Sequence, residues 1–329
     1  MVRILRWIGW IVLSAIAIVA ITLVTFRLLA HARESTPRDA LMPPGARHVR
    51  AGDIDMLVQE AGPPTGRIVV LVHGTGAWSE SWRDTIDALA RRGYRVIAVD
   101  LPPFGLSDRP RAENYATSDQ GKRIAAALDT LEVREAVLVG HSFGARATVE
   151  AVLLSPSRVR ALVLVDPALG LDASAAPPSA AVAWLLRNHT AREMLVAALA
   201  TNPAMTRWIL KQFTARHEVL TDQRIAVYQL PVRSPGSTEA IGAWLEDFLM
   251  PGDEPASARP AAYATLSIPT LLLWGELDTV TPIEQGKRIA KLMPSSKLEI
   301  LRGVGHIPQI EDAAAFNTAL LAFLASLGK

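Results

Sequence analysis

Residues 136–154 read AVLVGHSFGARATVEAVLL, and the fold is decided by how this stretch changes character along its length. A short β-branched run, 136–139, enters Gly140-His141-Ser142-Phe143-Gly144 and leaves as a helix-forming run, 145–154. The pentapeptide has the form G-x-S-x-G between a strand and a helix. There the serine sits on a sharp turn that projects its hydroxyl into open space, and the glycines remove side chains that would collide in the bend. The following helix aims its first amides and its positive dipole end at the reacting oxygen. Ser142 is therefore the candidate nucleophile. A second Gly-x-Ser, Gly105-Leu106-Ser107, has Arg109 where the closing glycine would stand and reads as a turn serine.

Outward from this bend the same alternation repeats. Apolar runs at Ile68–Val72, Arg95–Val99, 161–165, 270–274 and 297–301 lack polar alternation, which suits strands covered on both faces of a parallel sheet. Amphipathic stretches at 82–92, 119–131, Ile283–Leu292 and 312–327 fall between or after them. Residues 54–59 fit an antiparallel strand ahead of the series. Strands alternating with helices predict an α/β fold with a doubly wound, mostly parallel sheet. Its core is expected over 46–169 and 263–329. Residues 170–262 break the rhythm: they contain no strand run, carry Pro235-Gly236 and Pro251-Gly252 breaks, and are otherwise helical. Trp184, Trp208 and Trp244 lie on the apolar faces of these helices. Packing against a core explains any one of them. A helical insertion between two sheet strands also predicts a cap over the strand ends, where ligands bind.

At the N-terminus, residues 7–26 carry no charge and are flanked by Arg3, Arg6 and Arg27. A helix of that length covers roughly 30 Å, the thickness of a bilayer's hydrocarbon core. Trp7, Trp10 and Phe26 stand at its ends, where aromatic rings favour the headgroup level. Residues 1–30 are thus expected as a transmembrane anchor and 31–45, rich in charge and proline, as a linker. A cleaved signal peptide is the alternative, with Ala30-His31-Ala32 as its cleavage site. The apolar run exceeds the roughly 7–15 residues usual for such a peptide, and Arg27 intervenes. The short, basic N-terminal tail favours a single-pass membrane protein with its catalytic domain on the extracytoplasmic side. Arg27, Arg33 and Arg38 weigh against that orientation.

The 34 basic residues nearly cancel the 32 acidic ones, so no nucleic-acid footprint is present. The chain has no cysteine, which excludes disulfides, thiolate metal sites and a cysteine nucleophile.

A serine hydroxyl needs a base. Of seven histidines, His306 stands in Gly303-Val304-Gly305-His306-Ile307-Pro308, a glycine-flanked loop after the last strand. His31 and His48 precede the core, His189 and His217 fall in the insertion, and His73 and His141 adjoin glycine turns that suit structural hydrogen bonds. The imidazole in turn needs a carboxylate to hold its tautomer and offset its charge. Asp278 and Asp166 each follow a strand, and the order Ser…Asp…His fits both. Asp100 and Asp108 precede the serine and read as loop-ordering residues.

From about residue 50 onward the chain resembles the α/β-hydrolase superfamily, in its capped, serine-nucleophile branch. The resemblance rests on HGTGAW (73–78), DLPPFGLSDRP (100–110), GHSFGA, IPTLLLWGELDTVTP (268–282) and GHIPQIEDAAAF (305–316), with Pro103 where a glycine is expected. It implies Ser142, Asp278 and His306 as a catalytic triad, the family's acid position falling on Asp278 rather than Asp166. It also implies an oxyanion hole from the backbone N–H groups of Phe143 and Thr75 (or Gly76), and no metal or cofactor. Haloalkane dehalogenases and epoxide hydrolases use an aspartate at the bend, so the serine argues against them. The expected activity is hydrolysis of a small, lipophilic carboxylic ester. Carbon–carbon bond hydrolysis, cofactor-free peroxidase-like chemistry and non-catalytic ligand binding at a membrane are the alternatives.

Overall fold

The computed structural model describes residues 2–110, 112, 114–171, 178–252 and 254–328. Eight strands share one sheet: β1 (Arg47–Ala51), β2 (Ile54–Ala61), β3 (Ile68–Val72), β4 (Arg95–Val99), β5 (Ala136–His141), β6 (Val159–Val165), β7 (Thr270–Gly275) and β8 (Ser296–Leu301). Their spatial order is β1-β2-β4-β3-β5-β6-β7-β8. β1 and β2 pair antiparallel, as do β2 and β4, and every later pairing is parallel. The chain therefore winds outward in both directions from β3, leaving β5 near the middle with its C-terminal end free.

The period-two geometry of a strand divides the core into two layers. Val70 and Val72 of β3 pack with α3 (Thr117–Thr130) and α4 (Phe143–Leu154) on one face. Val69 and Leu71 pack on the other with α2 (Arg83–Arg91). Between β6 and β7 the chain inserts the cap helices α5 (Ala180–Arg187), α6 (His189–Ala198), α7 (Pro203–Phe213), α8 (Asp222–Gln229) and α9 (Ser237–Leu249). Residues 172–177, at the start of this insertion, lie outside the described residues. α10 (Pro260–Ala264) leads back into β7, α11 (Ile283–Leu292) joins the first face, and α12 (Pro308–Glu311) and α13 (Ala313–Ser326) end the chain. Leu210, Ile225 and Tyr228 of the cap pack on Ala77 and Ile307, which follow β3 and β8. The cap thus covers the strand ends.

Two segments depart from expectation. β1 was not anticipated, because RHVRA is polar and only alternate residues are covered at this sheet edge. At the N-terminus, α1 (Val2–Arg33) does not end with its apolar run. It is the one helix among the described residues long and apolar enough to cross a membrane, a criterion that a signal sequence also meets. Residues 31–45, expected as a linker, are tied to the core at several points although many of them are exposed. The helix continues to Arg33, Glu34 is buried, and Leu41 sits among Leu57, Trp78 and Leu106. Arg38 pairs with Asp108. The charges that gave this stretch its linker composition have specific partners.

Candidate active site

Ser142 lies between the last residue of β5 and the first of α4 with φ +50° and ψ −121°, a strained conformation for a residue with a side chain. Neighbouring structure holds it there. Its N–H donates to the Val165 carbonyl (2.9 Å), and its own carbonyl accepts from Ala145 and Ala168. A Cβ on Gly144 would lie 2.1 Å from the His73 carbonyl oxygen, so only glycine lets the bend close against the end of β3. The second glycine of the motif thus has a direct steric cause.

The loop after β8 brings His306 to the serine. Nε2 of His306 is 2.8 Å from Ser142 Oγ, and Nδ1 is 2.8 Å from Asp278 Oδ2. Asp278 also accepts from Thr281 Oγ1 (2.6 Å) and from the amides of Val280 (2.8 Å) and Thr281 (3.0 Å). Burial pushes the Asp278 carboxyl up, but the bonds from His306 and Thr281 outweigh it and hold the group below the ordinary aspartate value. The three residues predicted as a triad are thus brought together in one hydrogen-bonded line.

Asp166, the rival carboxylate, is close to this line but differently used. It follows β6 with φ +41°, and its Oδ1 accepts from the Gly275 amide at 2.8 Å. Complete burial and the neighbouring Asp278 charge raise its pKa well above the ordinary value. Asp166, Asp278 and His306 could hold a metal by distance alone. Both ring nitrogens of His306, however, already face Asp278 and Ser142.

The two buried histidines beside glycine turns have structural partners. His73 accepts at Nε2 from the Leu101 amide and donates from Nδ1 to the Gly74 carbonyl, each at 2.8 Å, and burial pushes its pKa down to about 4. His141 donates to the His306 carbonyl at 2.7 Å, and burial pushes its pKa down to about 3. Asp100 accepts from the Ser79 and Leu106 amides and orders the loop after β4, with burial raising its pKa to about 6. Ser107 Oγ donates to the Asp100 carbonyl at 2.6 Å, the behaviour of a turn serine.

Two contributors were assigned no role by the sequence, although both fall in the matched stretches 268–282 and 305–316. Thr281 is a donor to Asp278. Glu311 precedes the last helical stretch. Its carboxyl accepts from the amides of Gly305 and Ile307, on either side of His306, and of Ala215 and Arg216 in the cap. One side chain thereby joins the histidine loop to the cap.

Ser142 and His306 open onto a cavity of about 180 Å³. Ile209, Leu210, Phe213, Val232, Ile241 and Trp244 supply much of its wall, and among the described residues no Asp, Glu, Lys or Arg lines it. Thr75 lies on the same wall. Phe143 opens α4, so its amide is among those with no acceptor inside the helix. The Trp244 ring packs on Phe104 (4.8 Å) and Phe143 (5.4 Å), joining the cap to the core beside the serine.

A mostly parallel sheet with a serine at the β5–α4 bend defines the class of α/β hydrolases. Residues 67–313 match the family described as alpha/beta hydrolase fold, and the chain belongs to that family. It is similar to the 2-hydroxy-6-oxo-2,4-heptadienoate hydrolase of Pseudomonas putida, 28% identical over 286 residues that cover 85% of this chain and 96% of that one. The 2-hydroxymuconate semialdehyde hydrolase of a Pseudomonas species is 29% identical over 290 residues, covering 86% and 95%. Among solved structures, the carboxylesterase CesB of Bacillus subtilis superposes with a TM-score of 0.67 at 20% identity, covering 92% of this chain and 97% of that one.

Proposed function

We propose that this chain is a membrane-anchored serine hydrolase that cleaves small lipophilic carboxylic esters through an acyl-enzyme on Ser142. One observation carries the reading. A continuous Ser142–His306–Asp278 line, 2.8 Å at each link, stands at the base of a cavity with no charged side chain among the described residues of its wall. His306 Nε2 takes the Ser142 proton as Oγ bonds to the carbonyl carbon, and Asp278 stabilises the imidazolium that forms. The amides of Phe143 and Thr75 face the developing oxyanion; a single such donor is typically worth about 10²–10³ in rate. Collapse of the tetrahedral intermediate breaks the carbon–oxygen bond, and His306 passes the proton to the departing alkoxide. Water then gives a proton to His306 as its oxygen bonds to the acyl carbon. Ser142 leaves, takes that proton back, and the carboxylic acid is released.

Carbon–carbon bond hydrolysis is the second reading, and the names of the two Pseudomonas relatives favour it. A dienoate carries a carboxylate, and burying one without a cationic partner costs several kcal/mol. Among the described residues the cavity wall carries no Lys or Arg, which supports the neutral ester. The length and composition of α1 support a single membrane crossing.

The test is a panel of p-nitrophenyl esters alongside 2-hydroxy-6-oxo-2,4-heptadienoate, with covalent labelling by a fluorophosphonate. Ester turnover, and labelling that disappears in Ser142→Ala, is the expected result. Faster turnover of the dienoate would transfer the assignment to the second reading. Labelling that persists on another serine would remove Ser142.

A further inference from the structure

The apolar run of α1 ends at Phe26, but the helix continues and seats its last turns on the cap. Leu23, Phe26, Arg27, Ala30, Arg33 and Glu34 are covered at the three-and-four spacing of one helix face, while their neighbours are exposed. Ala30 is fully buried, and so small a residue lets the helices approach closely. The Arg27 guanidinium reaches Glu193 on α6 (3.1 Å) and Glu239 on α9 (2.5 Å). Arg33 donates to the Thr201 carbonyl just past α6 at 2.8 Å. Glu34 accepts from both the amide and the hydroxyl of Thr238. The helix is held to the cap along three turns.

The two ties along α6 fix a direction. Arg27 meets Glu193 and Arg33 meets Thr201, so α1 and α6 run side by side in the same sense. Four residues back from the first tie, Leu23 comes level with His189, at the corner between α5 and α6. Leu23 lies inside the apolar stretch 7–26, about 5 Å from its end at 1.5 Å per residue. Within two turns of that corner Trp184 is 62% exposed and Val182 41% exposed. Arg187 and His189 at the corner are exposed, and residues 180–190 carry no acidic side chain. An aromatic and an aliphatic side chain beside basic groups, level with the end of an apolar helix, have the chemistry of a membrane interface.

We propose that the α5–α6 corner of the cap sits in the headgroup layer of the phospholipid bilayer that α1 crosses, with Trp184 and Val182 at the acyl boundary and Arg187 beside the phosphates. This rests on α1 being an uncleaved anchor. It carries a consequence for substrate supply. The cavity wall reaches the exposed Ala200, adjacent to the Thr201 that Arg33 holds. Arg33 lies seven residues past Phe26, so this part of the wall stands about 10 Å above the hydrocarbon boundary. A lipophilic substrate partitioned into the bilayer would reach the serine by a short path along the cap.

The chain has no cysteine, so single probes can be placed without background. Val182→Cys and Trp184→Cys are made in the full-length chain, with Leu154→Cys as a reference at the far end of α4, and each is labelled with an environment-sensitive dye. The proteins are reconstituted into nanodiscs of phosphatidylcholine and phosphatidylglycerol, and fold is checked by turnover of a short ester. The expected result is blue-shifted emission at 182 and 184, lost to a quencher carried on the lipid chains, with the dye at 154 unaffected. Emission at 182 and 184 as water-exposed as at 154, on protein that stays with the discs, would overturn the cap contact and leave the anchor standing. Blue-shifted dyes that the lipid quencher does not reach would assign the corner to a protein contact instead. Protein that separates from the discs, or whose N-terminus has been removed, would overturn the anchor and the proposal with it.

Discussion

Ser142 and Asp166 both adopt positive φ at the C-terminal ends of adjacent parallel strands, and each is pinned by backbone bonds to the next strand. Their side chains have opposite electrostatic roles. The bonds from His306 and Thr281 lower the Asp278 pKa, whereas burial and the Asp278 charge raise that of Asp166. Asp278→Asn should lower kcat by about 10⁴, because the imidazole then loses the partner that sets its tautomer. Asp166→Asn, which keeps the shape of a side chain that does not bond to His306, should keep kcat within about tenfold, roughly 1.4 kcal/mol of barrier. Stopped-flow acylation of the two variants reads the difference, and equal losses would return the acid assignment to both residues. The same pair predicts opposite pH dependences of stability. Asp166 binds its proton more tightly when folded. Its contribution is complete below the ordinary aspartate value of about 3.9 and is lost as pH rises toward the raised folded value. Asp278 contributes above that ordinary value and loses its contribution as acid titrates it through the lowered folded value. The urea midpoint of Asp166→Asn should therefore gain on that of the unmodified protein as pH rises from about 4 to 8. A constant gap would show that the Asp166 pKa is not raised.

At the scale of elements, the legible parts were those whose pattern has one cause. The buried strands β3 to β7 carry uninterrupted apolar runs because both faces are covered. The bend at Ser142 was legible because strand, glycine and helix stand in immediate succession. β1 was not, since an edge strand with one covered face keeps its charged residues and forfeits the hydrophobic signal. Glu311 was hidden for a different reason: it bonds to backbone amides, and an amide has no residue type to read. Its four accepted bonds tie the His306 loop to Ala215 and Arg216 at the end of α7. Glu311→Ala would leave these amides buried without that acceptor, at about 1–3 kcal/mol for each group that water cannot reach. A loss of at least about 3 kcal/mol in urea unfolding is expected. Hydrogen exchange should speed up at 305–307 and 215–216 together. Faster exchange confined to one of the two segments would mean that Glu311 serves a single loop and does not join them.

Across the whole molecule, the cap, the cavity and the N-terminal helix form one arrangement that no single motif announces. The contact between α1 and α6 joins residues 166 positions apart, and residues 31–45 after the apolar run read as a linker because long-range partners leave no local pattern. The cavity is likewise assembled from the loops after β3, β4, β5 and β8 together with cap helices, so its apolar character appears only when all are in place. That character has a quantitative consequence for esters of graded chain length. Burying a methylene is worth about 0.8 kcal/mol, or about fourfold in an equilibrium constant. While the acyl chain still fits, kcat/KM should rise by up to about fourfold for each added methylene, with the gain in KM. It should level off once the cavity of about 180 Å³ is filled. With no charged side chain among the described residues of the wall, the slope should not change between low and high salt, where screening would weaken a charged contact. Steady-state kinetics on acetate through octanoate esters at two ionic strengths check both features. A profile flat from the shortest ester, or one that salt suppresses, would mean that the acyl portion does not occupy this cavity and that the charged-substrate reading needs to be taken up.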